Sequence, residues 1–157
     1  IVGTLHILEG CRHHEVEHVT YASSSSVYGA VTELPMRETS LPRPFSPYGV
    51  TKLAAEHLCV LYSANHDVPT TSLRYFTVYG PRGVENHAVI AMIARAFVRQ
   101  NPFEVWGDGT QVRNWTYVDD IVQGTILAAE SIDDGTDVNL GTMERIRVID
   151  AVEMILE

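Results

Sequence analysis

Alternating strand-like and helix-like segments predict an α/β chain built on a mainly parallel sheet. Short β-prone runs at residues 18–22, 70–76, 103–106, 114–118 and 138–140 are separated by longer stretches of helical period. Turn signals mark the boundaries, and 157 residues are enough to bury a real core in one domain.

Residues 1–12 read as a helix, with Ile1, Leu5 and Leu8 in register and Ile7 and Cys11 beside them. A short strand follows and is broken by Ser23 to Ser26; residues 30–45, polar and proline-bearing, form a connection over the surface. Ser46-Pro47 opens the next helix, because proline suits the first helical turn. That helix runs to about Asn65 on an apolar stripe of Val50, Leu53, Ala54, Leu58 and Leu61. Asp67-Val68-Pro69 turns the chain into the strand at 70–76, and Gly80-Pro81-Arg82-Gly83 is a loop. Val89, Met92, Ile93, Ala96 and Phe97 mark an amphipathic helix. The run 103–106 is a short strand ended by a Gly107-Asp108-Gly109 turn. Asp119 or Asp120 caps a helix carrying Ile121, Val122, Thr125, Ile126 and Ala129. Val148, Ile149, Val152, Ile155 and Leu156 form the closing helix.

Composition excludes several function classes. No run approaches the ~18 apolar residues of a membrane-spanning helix. A net charge of −9 argues against nucleic acid or an anionic membrane surface as partner. Cys11 and Cys59, both in predicted helices, read as buried thiols in a reduced compartment. His13-His14-Glu15 and His18 fall at a helix end without a ligand spacing, so no metal site is expected. The chain opens on Ile1 in mid-pattern and stops at Glu157 inside an apolar-periodic segment, so both ends read as cuts.

Tyr48 and Lys52 stand one helical turn apart and lie one above the other. A free tyrosine titrates near pH ~10, so about one in a thousand is phenolate at neutrality. A desolvated ammonium beside it stabilises the phenolate; making it a base near neutrality takes about 4 kcal/mol. The same spacing also fits a tyrosine at a helix start beside a solvated lysine, so its context decides.

That context is a set of motifs: Val2-Gly3-Thr4 with Leu8-Glu9, residues 21–29 ending in Val27-Tyr28-Gly29, residues 46–56, residues 73–82 and residues 106–120. In their order and spacing they resemble the extended short-chain dehydrogenase/reductase superfamily, in particular its NAD-dependent nucleotide-sugar epimerases and dehydratases, of the UDP-glucose 4-epimerase type. The resemblance implies a Rossmann-like, doubly wound parallel sheet. Residues 1–78 would be the C-terminal half of an NAD-binding domain. Residues 79–157 would be part of a smaller substrate domain, with elements packing back on the first.

By the same resemblance Tyr48 is the catalytic base, and Lys52 is its partner and holds the nicotinamide ribose. Ser24, four residues before Tyr28, is the serine that hydrogen-bonds the reacting sugar oxygen, with Ser23 and Ser25 as alternatives. Ser23 and Tyr75 join Tyr48 and Lys52 on the cofactor side. Thr77, Ala88 and Val89 are substrate contacts; a threonine at 77 resembles some glucuronate-type epimerases. Arg113 pairs with the nucleotide diphosphate, where a planar fork suits phosphate oxygens. Trp106 lies against the base or is a core tryptophan. Asn114 stands where aspartate is usual.

The family's dehydratases carry Asp-Glu where this chain has Ser25-Ser26, and its decarboxylases keep a glutamate there. Elimination needs an acid and a base beyond the tyrosine, so the serines favour epimerisation through a 4-keto sugar, with NAD regenerated in each cycle and kept bound. Another reaction of the superfamily (reductase, decarboxylase, 4,6-dehydratase) and a non-catalytic NAD- or nucleotide-sugar-binding protein are the alternatives. A cytoplasmic homodimer is the family expectation. The eleven glycines include no G-x-x-G-x-x-G turn for the pyrophosphate. The resemblance thus implies a piece of an enzyme of roughly twice the length. Alone, it is expected to expose a sheet edge and an apolar helix face, to bind NAD weakly and to be inactive.

Overall fold

The computed structural model describes residues 1–30 and 34–157, so part of the connection expected at 30–45 lies outside the described residues. The elements, in order, are α1 (Val2–His13), β1 (Val19–Ser24), a 3₁₀ turn (Ser25–Val27), α2 (Pro47–His66), β2 (Thr70–Tyr75), β3 (Thr77–Tyr79), α3 (Ala88–Phe97), β4 (Val112–Arg113), β5 (Trp115–Tyr117), α4 (Val118–Ser131), β6 (Asp134–Leu140), β7 (Ile146–Arg147) and α5 (Val148–Leu156). The chain divides into two compact units, residues 1–76 with 122–140 and residues 77–121 with 141–157. Segment 122–140, which lies within the 79–157 stretch expected to include elements packing back on the first domain, groups with residues 1–76.

In the first unit β2 lies between β1 and β6, parallel to both. Its first five residues are buried and mostly polar, so each hydroxyl needs a partner. Thr70 Oγ1 donates to the Cys59 carbonyl at 3.0 Å, and Thr71 Oγ1 to that of Thr136 at 3.1 Å. Ser46 caps α2 by accepting from the Gly49 N–H at 3.1 Å, with Pro47 in the first turn. The helix ends where Asp67 turns left-handed at φ 52°. Leu8, Cys59, Tyr62 and Val68 pack into one core with Leu5, Cys11, Val19, Tyr21 and Leu58 around them.

The face of α2 that is buried is not the expected stripe. Gly49, Ala55, Glu56, Cys59 and Tyr62 face inward, while Val50 and Leu61 are about half exposed, at 50% and 52%. The reason is electrostatic: Glu56 must meet the buried Arg74, and a helix cannot turn both faces to one sheet.

The second unit has two small sheets, parallel β3–β5 and antiparallel β4–β7. Helices α3 and α5 pack over a core of Val89, Met92, Trp115, Ala151 and Val152. Residues 103–106, expected as a strand, are irregular. Phe103 and Val105 do reach the core, but the Glu104 carbonyl accepts from Arg95 Nη1 at 3.1 Å instead of from a neighbouring strand. Asp119 and Asp120 lie inside the first turn of α4, where they favour the helix dipole rather than capping it. Strands β3 and β7 are too short to show a period of two.

Leu8 is fully buried, so Leu8→Ala is expected to cost about 2–5 kcal/mol in urea unfolding; a cost below about 1 kcal/mol would show that the α1–α2 core is not as packed as described.

Candidate active site

The C-terminal ends of β1 and β2 carry the first group of sequence-nominated residues. Parallel register pairs Ser23 with Arg74 and Ser24 with Tyr75. Beyond Ser24 the chain tightens into the 3₁₀ turn, which Ser24 caps: its Oγ accepts from the Ser26 N–H at 3.2 Å and donates to Ser26 Oγ at 3.1 Å. Ser23 points the other way, 3% exposed, with its hydroxyl donated to Glu56. As an alternative to Ser24 it is therefore already engaged, and it can reach a ligand only through its main chain.

Helix α2 presents Tyr48, Lys52 and Glu56 at i, i+4 and i+8, on one stripe. Lys52 Nζ donates to the Ala22 carbonyl on β1 at 2.7 Å and lies between two tyrosine rings, 5.2 Å from the centroid of Tyr21 and 5.6 Å from that of Tyr48. Burial pushes the Tyr21 phenol up to about 12, with Cys59, Glu56 and Tyr48 adding to it, so Tyr21 is neutral at physiological pH. Tyr48 is the open member of the pair, 54% exposed. The desolvation invoked for its phenolate is not supplied by the described residues. Tyr75 Oη is 3.0 Å from Thr125 Oγ1.

Two glycines set close approaches here. Gly29 has φ +67°, and a Cβ would enter the Arg43 carbonyl. At Gly49 a Cβ would come within 2.6 Å of the Ser26 carbonyl oxygen and 2.9 Å of Pro44 Cβ. The missing side chain lets the first turn of α2 lie against the serine turn.

The second group lies in the other unit. A cavity of about 270 Å³ is lined by Ala88, Met92, Arg95, Trp106, Gly107, Gln111, Arg113 and Val148. Ala88, Trp106 and Arg113 were nominated from sequence; Arg95 and Gln111 were not. For Arg95 a signal was available, since 88, 92 and 95 follow helical spacing; Gln111 precedes the two-residue β4 and had none. Trp106 is half exposed rather than in the core, and Arg95 lies over its ring at 4.8 Å. Gln111 Nε2 donates to the Trp106 carbonyl at 3.2 Å. Among the described residues no carboxylate pairs with Arg113, whose Nη1 donates to the Val112 carbonyl at 2.9 Å. A guanidinium pair beside an indole is suited to an anion carrying an aromatic group. The Val89 side chain is 9% exposed and packs with Trp115 in the core, so Ala88 lines the cavity and the Val89 side chain does not. Thr77 opens β3 and is exposed. Asn114 Nδ2 donates to the Glu144 carbonyl at 2.6 Å.

A parallel-strand unit that gathers polar side chains at the carboxyl ends of its strands belongs to the α/β class that binds ligands there. The chain belongs to the NAD dependent epimerase/dehydratase family, whose model matches residues 1–141. It is 41% identical over 150 residues to an uncharacterized UDP-glucose epimerase, YtcB, of Bacillus subtilis, covering 95% of this chain and 47% of that protein. It is 36% identical over 132 residues to a UDP-glucuronate 4-epimerase of Thermodesulfobacterium geofontis, covering 84% and 41%. Among solved structures, UDP-glucuronic acid 4-epimerase from Bacillus cereus in complex with NAD matches with a TM-score of 0.89 at 41% identity, over 99% of this chain and 50% of that one. The fold is thus Rossmann-like α/β, and the chain spans about half the length of these relatives.

Gly→Ala inside a helix ordinarily stabilises by up to ~1 kcal/mol. Gly49→Ala is expected to do the reverse, losing about 1–3 kcal/mol in urea unfolding by pushing the Ser26 carbonyl aside; a gain in stability would show that the close approach is absent.

Proposed function

We propose that the protein acts as an NAD-dependent nucleotide-sugar 4-epimerase on a UDP-hexose or its uronate, through a 4-keto sugar. The observation that carries the reading is Lys52, fixed on the Ala22 carbonyl beside the Tyr48 ring, with Ser24 and Tyr75 paired in register at the same strand ends. The names of the relatives, UDP-glucose and UDP-glucuronate epimerases, supply the substrate class.

The residues present fit one end of NAD. Lys52 has three donors and uses one on Ala22, which leaves two for the ribose hydroxyls, with Tyr48 and Tyr75 beside them and Ser23 contributing main chain. The pyrophosphate end has no glycine-rich turn among the eleven glycines. When bound, NAD would supply a reversible hydride acceptor for C4 of the sugar. Tyr48 takes the proton of the 4-hydroxyl and later returns it. Lys52, 5.6 Å from the centroid of the Tyr48 ring, brings a positive charge to the side chain that takes this proton. Ser24 holds the reacting oxygen by turning its hydroxyl from Ser26. Within the other unit, Arg113 and Arg95 suit a diphosphate and Trp106 a base, with Ala88 in the same cavity lining and Thr77 at the start of β3. The serine turn offers no carboxyl acid at Ser25 or Ser26, which favours epimerisation over elimination.

We place the enzyme in the cytoplasm as a homodimer. Both follow from the family resemblance, and the free thiols of Cys11 and Cys59 are compatible with a reducing compartment.

Tyr48→Phe in the full-length protein is expected to lower kcat by about 10²–10⁴-fold and to leave nucleotide-sugar binding largely intact. Conversion of UDP-glucose and UDP-glucuronate to their 4-epimers, followed by NMR, tests the reading. Release of a 4-keto-6-deoxy sugar, or undiminished turnover by the Phe variant, would overturn it.

A further inference from the structure

The proposed mechanism makes no use of a buried charge cluster directly behind the serine turn. Arg74 is 2% exposed, Glu56 1% and Ser23 3%. The fork is bidentate: Arg74 Nε donates to Glu56 Oε1 at 3.0 Å and Nη2 to Oε2 at 2.8 Å. Nη2 also donates to Asp137 Oδ2 at 2.6 Å, and Nη1 to Tyr28 Oη at 3.0 Å. Tyr28 Oη in turn donates to Asn139 Oδ1 at 2.7 Å. Ser23 closes the cluster by donating to Glu56 Oε1. Stability alone does not account for this. Buried ion pairs contribute little net stability next to a packed apolar equivalent, whereas fixed polar geometry is their better-attested use.

The cluster touches every element that carries the candidate chemistry in this unit. Glu56 is the next position on the stripe of Tyr48 and Lys52, so holding it fixes the rotation and height of that stripe. Ser23 and Arg74 are a register pair, and the adjacent pair is Ser24 with Tyr75. The serine turn is therefore held at both ends by one guanidinium, through Glu56 at Ser23 and directly at Tyr28.

We propose that Glu56, Arg74 and Ser23 are positioning residues of the reaction: they hold the Ser24 hydroxyl and the Tyr48–Lys52 stripe in mutual register without touching substrate. The proposal rests on the epimerase reading above. Ser23→Ala removes one hydroxyl and leaves the ion pair. Glu56→Gln keeps the shape and leaves Arg74 paired with Asp137, so both variants are expected to fold.

The experiment is steady-state epimerisation by the full-length protein, with melting temperature recorded for each variant. Ser23→Ala and Glu56→Gln are expected to lower kcat about 10-fold, with KM for the nucleotide sugar within about twofold. A double-mutant cycle supplies the readout that a merely structural role would not move. In a Ser24→Ala background the Ser23→Ala loss should shrink to within about twofold, because the group being positioned is gone. A full 10-fold loss persisting in that background would overturn the positioning role, as would parental kcat in both single variants. If Glu56→Gln fails to fold, the Ser23/Ser24 cycle decides alone. Parental turnover by Ser24→Ala with a slow Tyr48→Phe removes the role of Ser24, and with it the positioning role. Parental turnover by Tyr48→Phe instead sinks the epimerase reading itself.

Discussion

The buried guanidinium of Arg74 is the constraint around which the first unit is built. A cation taken out of water costs several kcal/mol, and the cost is recovered only when its donors all find acceptors in good geometry. Desolvation works to lower its pKa, but the bonds to Glu56 and Tyr28 and the charges of Glu56 and Asp137 outweigh it and hold the proton firmly. Two carboxylates share this one cation, and the strain falls on Asp137, whose pKa burial and Glu56 push upward against the pull of Arg74. Satisfying Arg74 draws in β1 through Ser23, α2 through Glu56, β6 through Asp137 and Asn139, and the end of the serine turn through Tyr28. Glu38 joins from the long connection: its Oε1 accepts from the Asn139 N–H at 2.9 Å.

This constraint explains what was and was not legible in the sequence. Ser46-Pro47 announced the start of α2, and the alternation of runs announced the parallel sheet, because caps, prolines and periodicity are local signals. The buried face of α2 was not legible. Apolar periodicity nominated Val50 and Leu61, while the helix is turned to place a glutamate inside. Nothing local marks Glu56 as buried, since its partner comes 18 residues later on another element. The irregular 103–106 segment failed for a related reason: its apolar residues serve the core without a strand to pair with, and Arg95 takes the carbonyl a ladder would need. For the site, Tyr48, Lys52 and Ser24 were nominated through order and spacing of motifs, whereas Arg95 and Gln111 line the cavity by folding back and carry no motif.

Net charge was a poor guide to local electrostatics. The chain carries −9, yet the cavity of the second unit is lined by two arginines and no carboxylate. Arg95 lies over the Trp106 ring at 4.8 Å and is tied to Glu104, by its carbonyl at 3.1 Å and by its carboxylate at 3.8 Å. Little side-chain freedom is therefore lost when an anion arrives, although the Arg95 charge is partly paired already. Gln111 supports the same indole from its main-chain side, over a glycine at φ +79° that leaves room for it. An acidic protein can thus hold an anion, because recognition depends on the few groups within hydrogen-bond reach.

The chemistry available to the first unit follows from which carboxylates are free. A dehydratase needs an acid and a base besides tyrosine, and the serine turn has only hydroxyls. Glu56, on the stripe of Tyr48 and Lys52, is the obvious substitute by position. Yet it is 1% exposed, and both of its oxygens are engaged, one by Arg74 Nη2 and the other by Arg74 Nε and Ser23. Releasing it would strand the Arg74 charge on Asp137 alone. Asp137 is itself committed to that guanidinium. Tyr48 and Lys52 therefore remain as the accessible ionisable pair of the stripe. The epimerisation proposed above asks only such a pair of this chain's side chains, the hydride acceptor being the cofactor.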